Sequence, residues 1–299
     1  MTHALPSQPS TWQYTLSQAV LRVGGVDAAS FLHSQFVSHV LRLRTGEVLR
    51  SAWCTPQGRV SFLFWLLRRE EDFLIVLPAS EITRLAQRLR LFVLRAKVEI
   101  DALSDWRVLG VKTAQTPAVP DAPGQWLESS SGILFFRPGP SERFIALIPP
   151  GAPSAAALPD ALPTATEAEW LACDIEDGLV EVTGEWVNAF LPQQLNLDET
   201  GTIAFDKGCY PGQEIIARLK YRGQVKSRLM RGAVATALAP GTRLAATPDA
   251  PTGGMVLCCA PDAIGYRLLA VADLGGLAGP LRPEDGPDNP IHFATLHAP

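Results

Sequence analysis

Residues 191–228 read L-P-Q-Q-L-N-L-D-E-T-G-T-I-A-F-D-K-G-C-Y-P-G-Q-E-I-I-A-R-L-K-Y-R-G-Q-V-K-S-R. Gly208 and Gly212 bracket a turn that brings backbone close to a neighbour and leaves Cys209 on a loop. Lys207 lies two residues from that thiol, and a nearby cation favours the thiolate, the reactive and metal-binding form. One cysteine cannot complete a tetrahedral site, so no resident metal is expected. A lone thiol so placed suits transient ligation, redox trapping or nucleophilic attack. Free cysteine is also commonly a small packed hydrophobe, and residue chemistry alone leaves both readings open. Between 207 and 231 stand Lys207, Arg218, Lys220, Arg222, Lys226, Arg228 and Arg231 against Glu214 alone, a net of +6 that leaves −10 for the remainder of a chain of net charge −4. Positive charge so concentrated implies an anionic partner or the solvated face of a strand pair.

Outward from this stretch, both flanks alternate between strand and helix patterns. A strand is expected at 19–23, then Asp27 as N-cap of a short helix to 36 carrying Phe31, Leu32 and Phe36 on one face. Thr55-Pro56-Gln57-Gly58 is turn chemistry between strands at 49–54 and 59–67. The second of these is apolar on both faces, as in a central strand covered on each side. A strand at 73–77, a helix capped by Ser80 with Ile82, Leu85, Leu89 and Phe92, and a strand at 98–100 complete a sheet with helices on one face. Residues 113–124 read as a loop, 133–136 and 144–148 as a hairpin, 149–163 as an Ala/Pro-rich bridge, and 167–177 as a helix. Beyond 227 short strands at 229–234, 255–259 and 266–271 with Gly and Pro turns predict a small β-barrel. Residues 275–290 read as a mobile loop before a last strand at 291–296.

The whole is therefore expected to be α+β: two mixed sheet-plus-helix domains, at 1–110 and 111–225, and a C-terminal small β-barrel at 226–299. With 299 residues, 47% hydrophobic and 19% charged, the chain is globular and too long for one ordinary core. No apolar run is long enough to span a bilayer, and residues 1–13 lack the pattern of a secretory signal. The five cysteines form no C-x-x-C pair, and adjacent Cys258 and Cys259 are poor disulfide partners. Free thiols in a reducing, cytoplasmic compartment are expected. Cys54, Cys173, Cys258 and Cys259 lie in apolar contexts and read as core.

Lys207-Gly208-Cys209-Tyr210-Pro211-Gly212-Gln213-Glu214 resembles the K-G-C-Y-x-G-Q-E signature of the YgfZ family, whose members are folate-binding and aminomethyltransferase-like. Pro192-Gln193, Asn196-Leu197, Ala217-Arg218 and Arg222-Gly223 match its flanks. Gly25-Val26-Asp27-Ala28, Phe31-Leu32 and Pro56-Gln57-Gly58-Arg59 extend a looser likeness toward the N-terminus. A signature of this length with consistent flanks is far more specific than a lone glycine motif. The resemblance implies an aminomethyltransferase-like arrangement around a central folate cleft, with tetrahydrofolate or a derivative as cofactor. It further implies support for assembly or repair of iron–sulfur cluster proteins, and through them tRNA modification, with tRNA or tRNA-modifying enzymes as further partners. Cys209 and Lys207 would carry the chemistry. Glu176 would accept two parallel hydrogen bonds from the pterin. Trp170 would offer a flat face, and Tyr210, Gln213, Glu214, Arg218 and Arg222 would complete the folate contacts. A helix-surface carboxylate and a core indole remain the plain readings of Glu176 and Trp170.

The chain also departs from its relatives. Aminomethyltransferases of the glycine cleavage system carry an aspartate in the strand after the first hairpin turn, but residues 59–68 hold no acidic residue. Val37-Ser38-His39-Val40 stands where many relatives have T-N-D or T-A-D, and Ser17-Gln18 where some have a tryptophan. A glycine-cleavage transfer is thus not expected, although a folate-dependent one-carbon transferase remains the alternative. Direct tRNA binding through the cations from Arg218 onward is a third reading, weakened because only Tyr221 lies among them.

Overall fold

A computed structural model of the protein describes residues 11–113, 120–152, 162–247, 250–276, 279–285, 288–294 and 296. Most of the expected N-terminal segment, the centre of the 113–124 loop and most of the 149–163 bridge lie outside the described residues. The first elements are β1 (Trp12–Thr15), β2 (Gln18–Gly24), α1 (Ala28–Gln35), β3 (Val48–Cys54), β4 (Val60–Arg68), β5 (Asp72–Pro78), α2 (Ile82–Val93) and β6 (Glu99–Ala102). Then follow β7 (Arg107–Lys112), β8 (Trp126–Glu128), β9 (Leu134–Phe136), β10 (Arg143–Ile148), α3 (Glu167–Asp177) and α4 (Gln213–Arg222). The last are β11 (Ser227–Val234), β12 (Arg243–Ala245), β13 (Gly254–Pro261), β14 (Tyr266–Asp273), β15 (Arg282–Pro283) and β16 (His292–Ala294).

Three antiparallel sheets organise them. The first runs β3-β4-β5-β2-β6. Its β4 sends Phe62, Phe64 and Leu66 against α1 and α2, while Leu63 and Leu67 face the opposite way into two other cores. Burial on both faces explains why β4 shows no polar alternation. The second sheet, β1-β7-β10-β9-β8, packs on the first through Trp12, Val108, Phe136, Ile145 and Leu147 against Val20, Leu67, Leu74 and Val76. The third, β15-β12-β13-β14-β11-β16, has its two edge strands joined by an antiparallel bridge between Leu281 and Ile291, which curls it into the expected barrel. Side chains from the first sheet (Ala52, Cys54, Val60), from α3 and the segment after it (Ile175, Val180) and from the barrel (Leu229, Leu269, Val271) form one shared core. The α+β class follows directly from this arrangement.

Several local expectations need correction. Ser80 does not cap α2. It sits in a short 3-10 turn at Ala79–Glu81, and Glu81, held by Arg84, occupies the N-cap position. Asp27 stands at the N-cap of α1, yet its carboxylate accepts the Lys97 amide at 2.7 Å rather than a helical one. The 275–290 stretch contains strand β15, paired with Leu244 and Ala245 and held by an Arg282–Asp288 ion pair at 2.6 Å. Strand β7, the neighbour of both β1 and β10, had no clear signature because Gly110 interrupts it. Helix α4 occupies the basic stretch after Gly212, for which the solvated face of a strand pair was one of two readings. By contrast α3 spans 167–177 as expected. Thr166 and Glu169 form a reciprocal capping box at its start, worth about 1 kcal/mol. Among the described residues no helix is long and apolar enough to cross a membrane.

Candidate functional site

Where the first sheet, the end of α3 and the barrel meet, they enclose a cavity of about 970 Å³. Its apolar wall comes from Leu49 and Trp65 of the first sheet, Leu179 after α3, and Leu197 and Phe205. Its polar groups include Arg50, Asn196, Glu176, Asp177 and Arg231, with His39, Arg42, Glu47, Glu199 and Asp206 elsewhere on the lining. Volume, apolar walls and a few convergent polar groups are the features of a small-molecule site.

Each polar group is held by a specific neighbour. Arg50 is the one charged residue of β3, donates to the Val180 carbonyl and lies 5.7 Å from the Trp65 ring centre. Desolvation draws its pKa down to about 10. Arg143, fully buried on β10, pairs with Asp174 and with Asp177, each at 2.8 Å. Ser141 Oγ donates to Asp177 at 2.6 Å. Burial pushes the Asp174 carboxyl upward against the pull of Arg143. This cluster fixes the C-terminal half of α3, and therefore the direction in which Glu176 points. Glu176 pairs with Arg231 at 3.0 Å and with Arg267, so α3 is also tied to β11 and β14.

Trp170 is placed differently from Glu176. It is buried between the first two sheets, edge-on to Trp12 at 6.1 Å and 4.3 Å beneath the Arg143 guanidinium. A Cβ at Gly110 would come 2.2 Å from its ring, which is why β7 carries glycine there. Trp170 lines a smaller cavity of about 220 Å³ with Tyr14, Asp174, Glu181 and Trp186, not the central one.

The Cys209 loop is docked by its neighbours on both sides. Gly212 has φ +81°, and a Cβ there would meet the Thr55 carbonyl at 2.5 Å and Gly58 Cα at 2.7 Å. The P-Q-G-R turn and the K-G-C-Y-P-G-Q-E segment are thus pressed backbone to backbone. Tyr210 is buried in the shared core. Gln213 Nε2 donates to the Lys207 carbonyl at 3.3 Å, and the fully buried Gln193 donates to that of Ile216 at 2.8 Å. Cys209 is exposed and does not line the cavity, to which Phe205 and Asp206, four and three residues earlier, contribute.

Lys207 is turned inward. Its ammonium donates to the carbonyls of His33, Phe36 (2.5 Å) and Ser38 (3.0 Å), and lies 4.8 Å from the Tyr210 ring centre. An ammonium has three donors, and here all three are used, at the C-terminal end of α1 where the helix dipole favours a cation. Burial lowers its pKa to about 8. The cation nearest the thiol in sequence is therefore a clasp between the loop and the first sheet's helix. Lys207→Met leaves three carbonyls without their donor, and should cost about 1–3 kcal/mol or more of stability, read as a lower urea midpoint. An unchanged midpoint would mean that water replaces the ammonium freely.

The remaining expected contacts, Glu214, Arg218 and Arg222, lie exposed on α4. Of the seven cations between 207 and 231, the half-buried Lys207 is spent on backbone carbonyls, Arg228 pairs with Asp198 at 2.9 Å and Arg231 with Glu176 at 3.0 Å. The free positive charge thus belongs to α4 and Lys226. Arg50, Trp65, Asp177 and Arg143 were not singled out from the sequence; an arginine inside the apolar run V-L-R-S-A-W-C was the one signal available. Among the described residues no group of three or more His, Cys, Asp or Glu side chains is placed to hold a metal ion.

No family model matches the sequence. The chain is 34% identical to the tRNA-modifying protein YgfZ of Edwardsiella ictaluri over 215 residues, which is 68% of this chain and 65%, just under two thirds, of that one. It is 31% identical to the protein of the same name from Klebsiella pneumoniae, covering 71% and 68% respectively. With that from Colwellia psychrerythraea it shares 28% identity over 76% and 72%. Among solved structures it superposes on the glycine cleavage system aminomethyltransferase T of Bartonella henselae with a TM-score of 0.80 and 15% identity, over 94% of this chain and 84% of that one. At that identity the likeness concerns the fold, which is the aminomethyltransferase-like arrangement expected from the sequence.

Proposed function

Because the chain belongs to the YgfZ family, we propose that it is a tetrahydrofolate-binding protein that supports assembly or repair of iron–sulfur cluster enzymes, including those that modify tRNA. On this reading it works in the cytoplasm through a reactive Cys209, as three units at 1–110, 111–225 and 226–299 around one cleft. The observation that carries it is the cavity of about 970 Å³, whose lining includes Glu176 and, in Phe205 and Asp206, the segment leading into Cys209. The residues present fit a reduced folate. Trp65 and Arg50 offer a flat cationic–aromatic face, and the volume lies within the usual range for such ligands. Glu176 accepts from two arginines, and a carboxylate has about four acceptor positions, so it retains capacity for an aminopyrimidine edge. Folate supplies one-carbon or reducing chemistry, and this chain's residues bind and orient it beside an accessible thiol.

Glu176→Gln should weaken tetrahydrofolate binding by about 1.5–3 kcal/mol, roughly tenfold or more in Kd, by titration calorimetry. Arg231→Ala serves as control, since it loosens the clamp on α3 while keeping the carboxylate. Unchanged affinity in Glu176→Gln would place the pterin elsewhere. In cells, cluster-enzyme activity under oxidative stress should fall in a deletion strain and be restored by wild type but not by Cys209→Ala. The alternative of a one-carbon transferase is disfavoured by β4, V-S-F-L-F-W-L-L-R, which carries no carboxylate. Turnover of a methylene- or aminomethyl-folate by the purified protein would revive it.

A further inference from the structure

We propose that helix α4 forms an anion subsite at the mouth of the central cavity, which takes the carboxylates of an oligo-γ-glutamyl tail on the bound folate. The inference rests on the folate reading above and adds to it the form of the ligand.

The mouth of the cavity has a marked chemical asymmetry. Phe205 and Tyr221 both line it, and their rings meet edge-on with centroids 6.1 Å apart. The Lys220 ammonium lies 5.3 Å from the Phe205 ring centre. Arg218 precedes Tyr221 by three residues, which puts the two on neighbouring positions of one helix face, and Arg222 follows Arg218 by four. None of these three cations forms an ion pair with a described residue. Three carboxylates of the preceding segment are engaged elsewhere: Asp206 with Arg42 at 2.7 Å, and Asp198 and Glu199 with Arg228 at 2.9 and 3.2 Å. Glu214, at the start of α4, is the one acidic residue on the helix. An otherwise acidic chain thus leaves three cations without an ion-pair partner among the described residues, on a helix whose Tyr221 lines the cavity.

Position decides between occupants. A nucleic-acid surface would need cations spread over a broad face with several exposed aromatics for stacking. Here they share one short helix with one largely exposed ring, Tyr221, which is itself part of the cavity wall. A ligand whose planar head enters the cavity would present its tail at this mouth. Each γ-linked glutamate adds one carboxylate to that tail.

The test compares tetrahydropteroyl mono- and triglutamate by calorimetry with the full chain, at low and at high salt. Triglutamate should bind wild type about tenfold more tightly at low salt, in keeping with two added exposed ion pairs. That ratio should shrink as salt is raised. It should approach one in the Arg218→Ala, Lys220→Ala, Arg222→Ala triple variant, whose exposed sites leave the fold intact by circular dichroism. Equal affinities in wild type, with both ligands bound, would overturn the subsite and leave the folate reading standing. Binding of neither would overturn both. A short single-stranded RNA that binds wild type but not the triple variant, with the two folates equal, would assign the face to phosphates and overturn the proposal.

Discussion

Cys209 should be the first of the five cysteines to react with a charged alkylating agent in the native protein. The thiolate is the attacking form, so both exposure and thiol acidity matter. Cys209 is the exposed member of the set. Cys54 is buried, and desolvation drives its pKa well above the ordinary thiol range. Cys258 is pushed by burial from 9.0 up to about 12, which removes roughly a thousandfold of its thiolate at neutral pH. Burial raises Cys173 and Cys259 as well. Mass-spectrometric mapping at limiting reagent should therefore find one site modified long before the others. Cys209→Ser should melt as wild type does, because a solvent-facing loop thiol contributes little to the core, yet fail to restore function in cells. Slow labelling of Cys209 together with a clearly lowered melting temperature would show a packed thiol and overturn the functional one.

The largest loss of stability is expected from Arg143→Met. The guanidinium is fully buried and neutralises Asp174 and Asp177, whose side chains are 18% and 1% exposed. Removing one member of such a cluster leaves charge behind in a poorly solvated place, at a cost of about 3–5 kcal/mol. Part of that cost is avoided when Asp174 takes up a proton, which its burial already favours. The gap between wild type and variant, measured as urea midpoints, should therefore narrow as pH falls. Arg143→Lys keeps the charge but not the fork that reaches both carboxylates, and should lie between the two. Folate affinity should fall with stability, because Arg143 sets the end of α3 and so the position of Glu176. An Arg143→Met protein as stable as wild type would mean that the two carboxylates are held by α3 alone.

What could be read in the sequence were features that depend on residues close together in it. The turn at Thr55 to Gly58, strand β4 with apolar residues on both faces, helix α3 and the Cys209 loop all announce themselves within a dozen positions. The cavity floor does not. Arg50, Asp177 and Arg231 on its lining, and Arg143 behind Asp177, come from β3, α3, β11 and β10, and no local pattern says that they converge. Helix α4 was concealed for another reason. It starts from a left-handed glycine rather than from a Ser, Thr, Asp or Asn cap, and its mix of Ile215, Ile216, Leu219 and cations fits a strand nearly as well. Lys207 shows the limit most clearly. Two residues from the thiol, it invited a role in activating it, whereas its three bonds run to carbonyls at the end of α1.

Strand β1 has a consequence for how the chain is made. It pairs with β7, from Trp12 opposite Lys112 to Thr15 opposite Leu109, and β2 to β6, the whole of the first sheet, lie between them in sequence. On a ribosome the first sheet emerges before β7 does, and domains fold as their segments emerge. During that interval β1 is a strand without a partner, the kind of edge that recruits other chains. A nascent chain stalled with β6 outside the ribosome and β7 still within it should be protease-resistant from β2 to β6 and cleavable at β1, while one released beyond β10 should protect both.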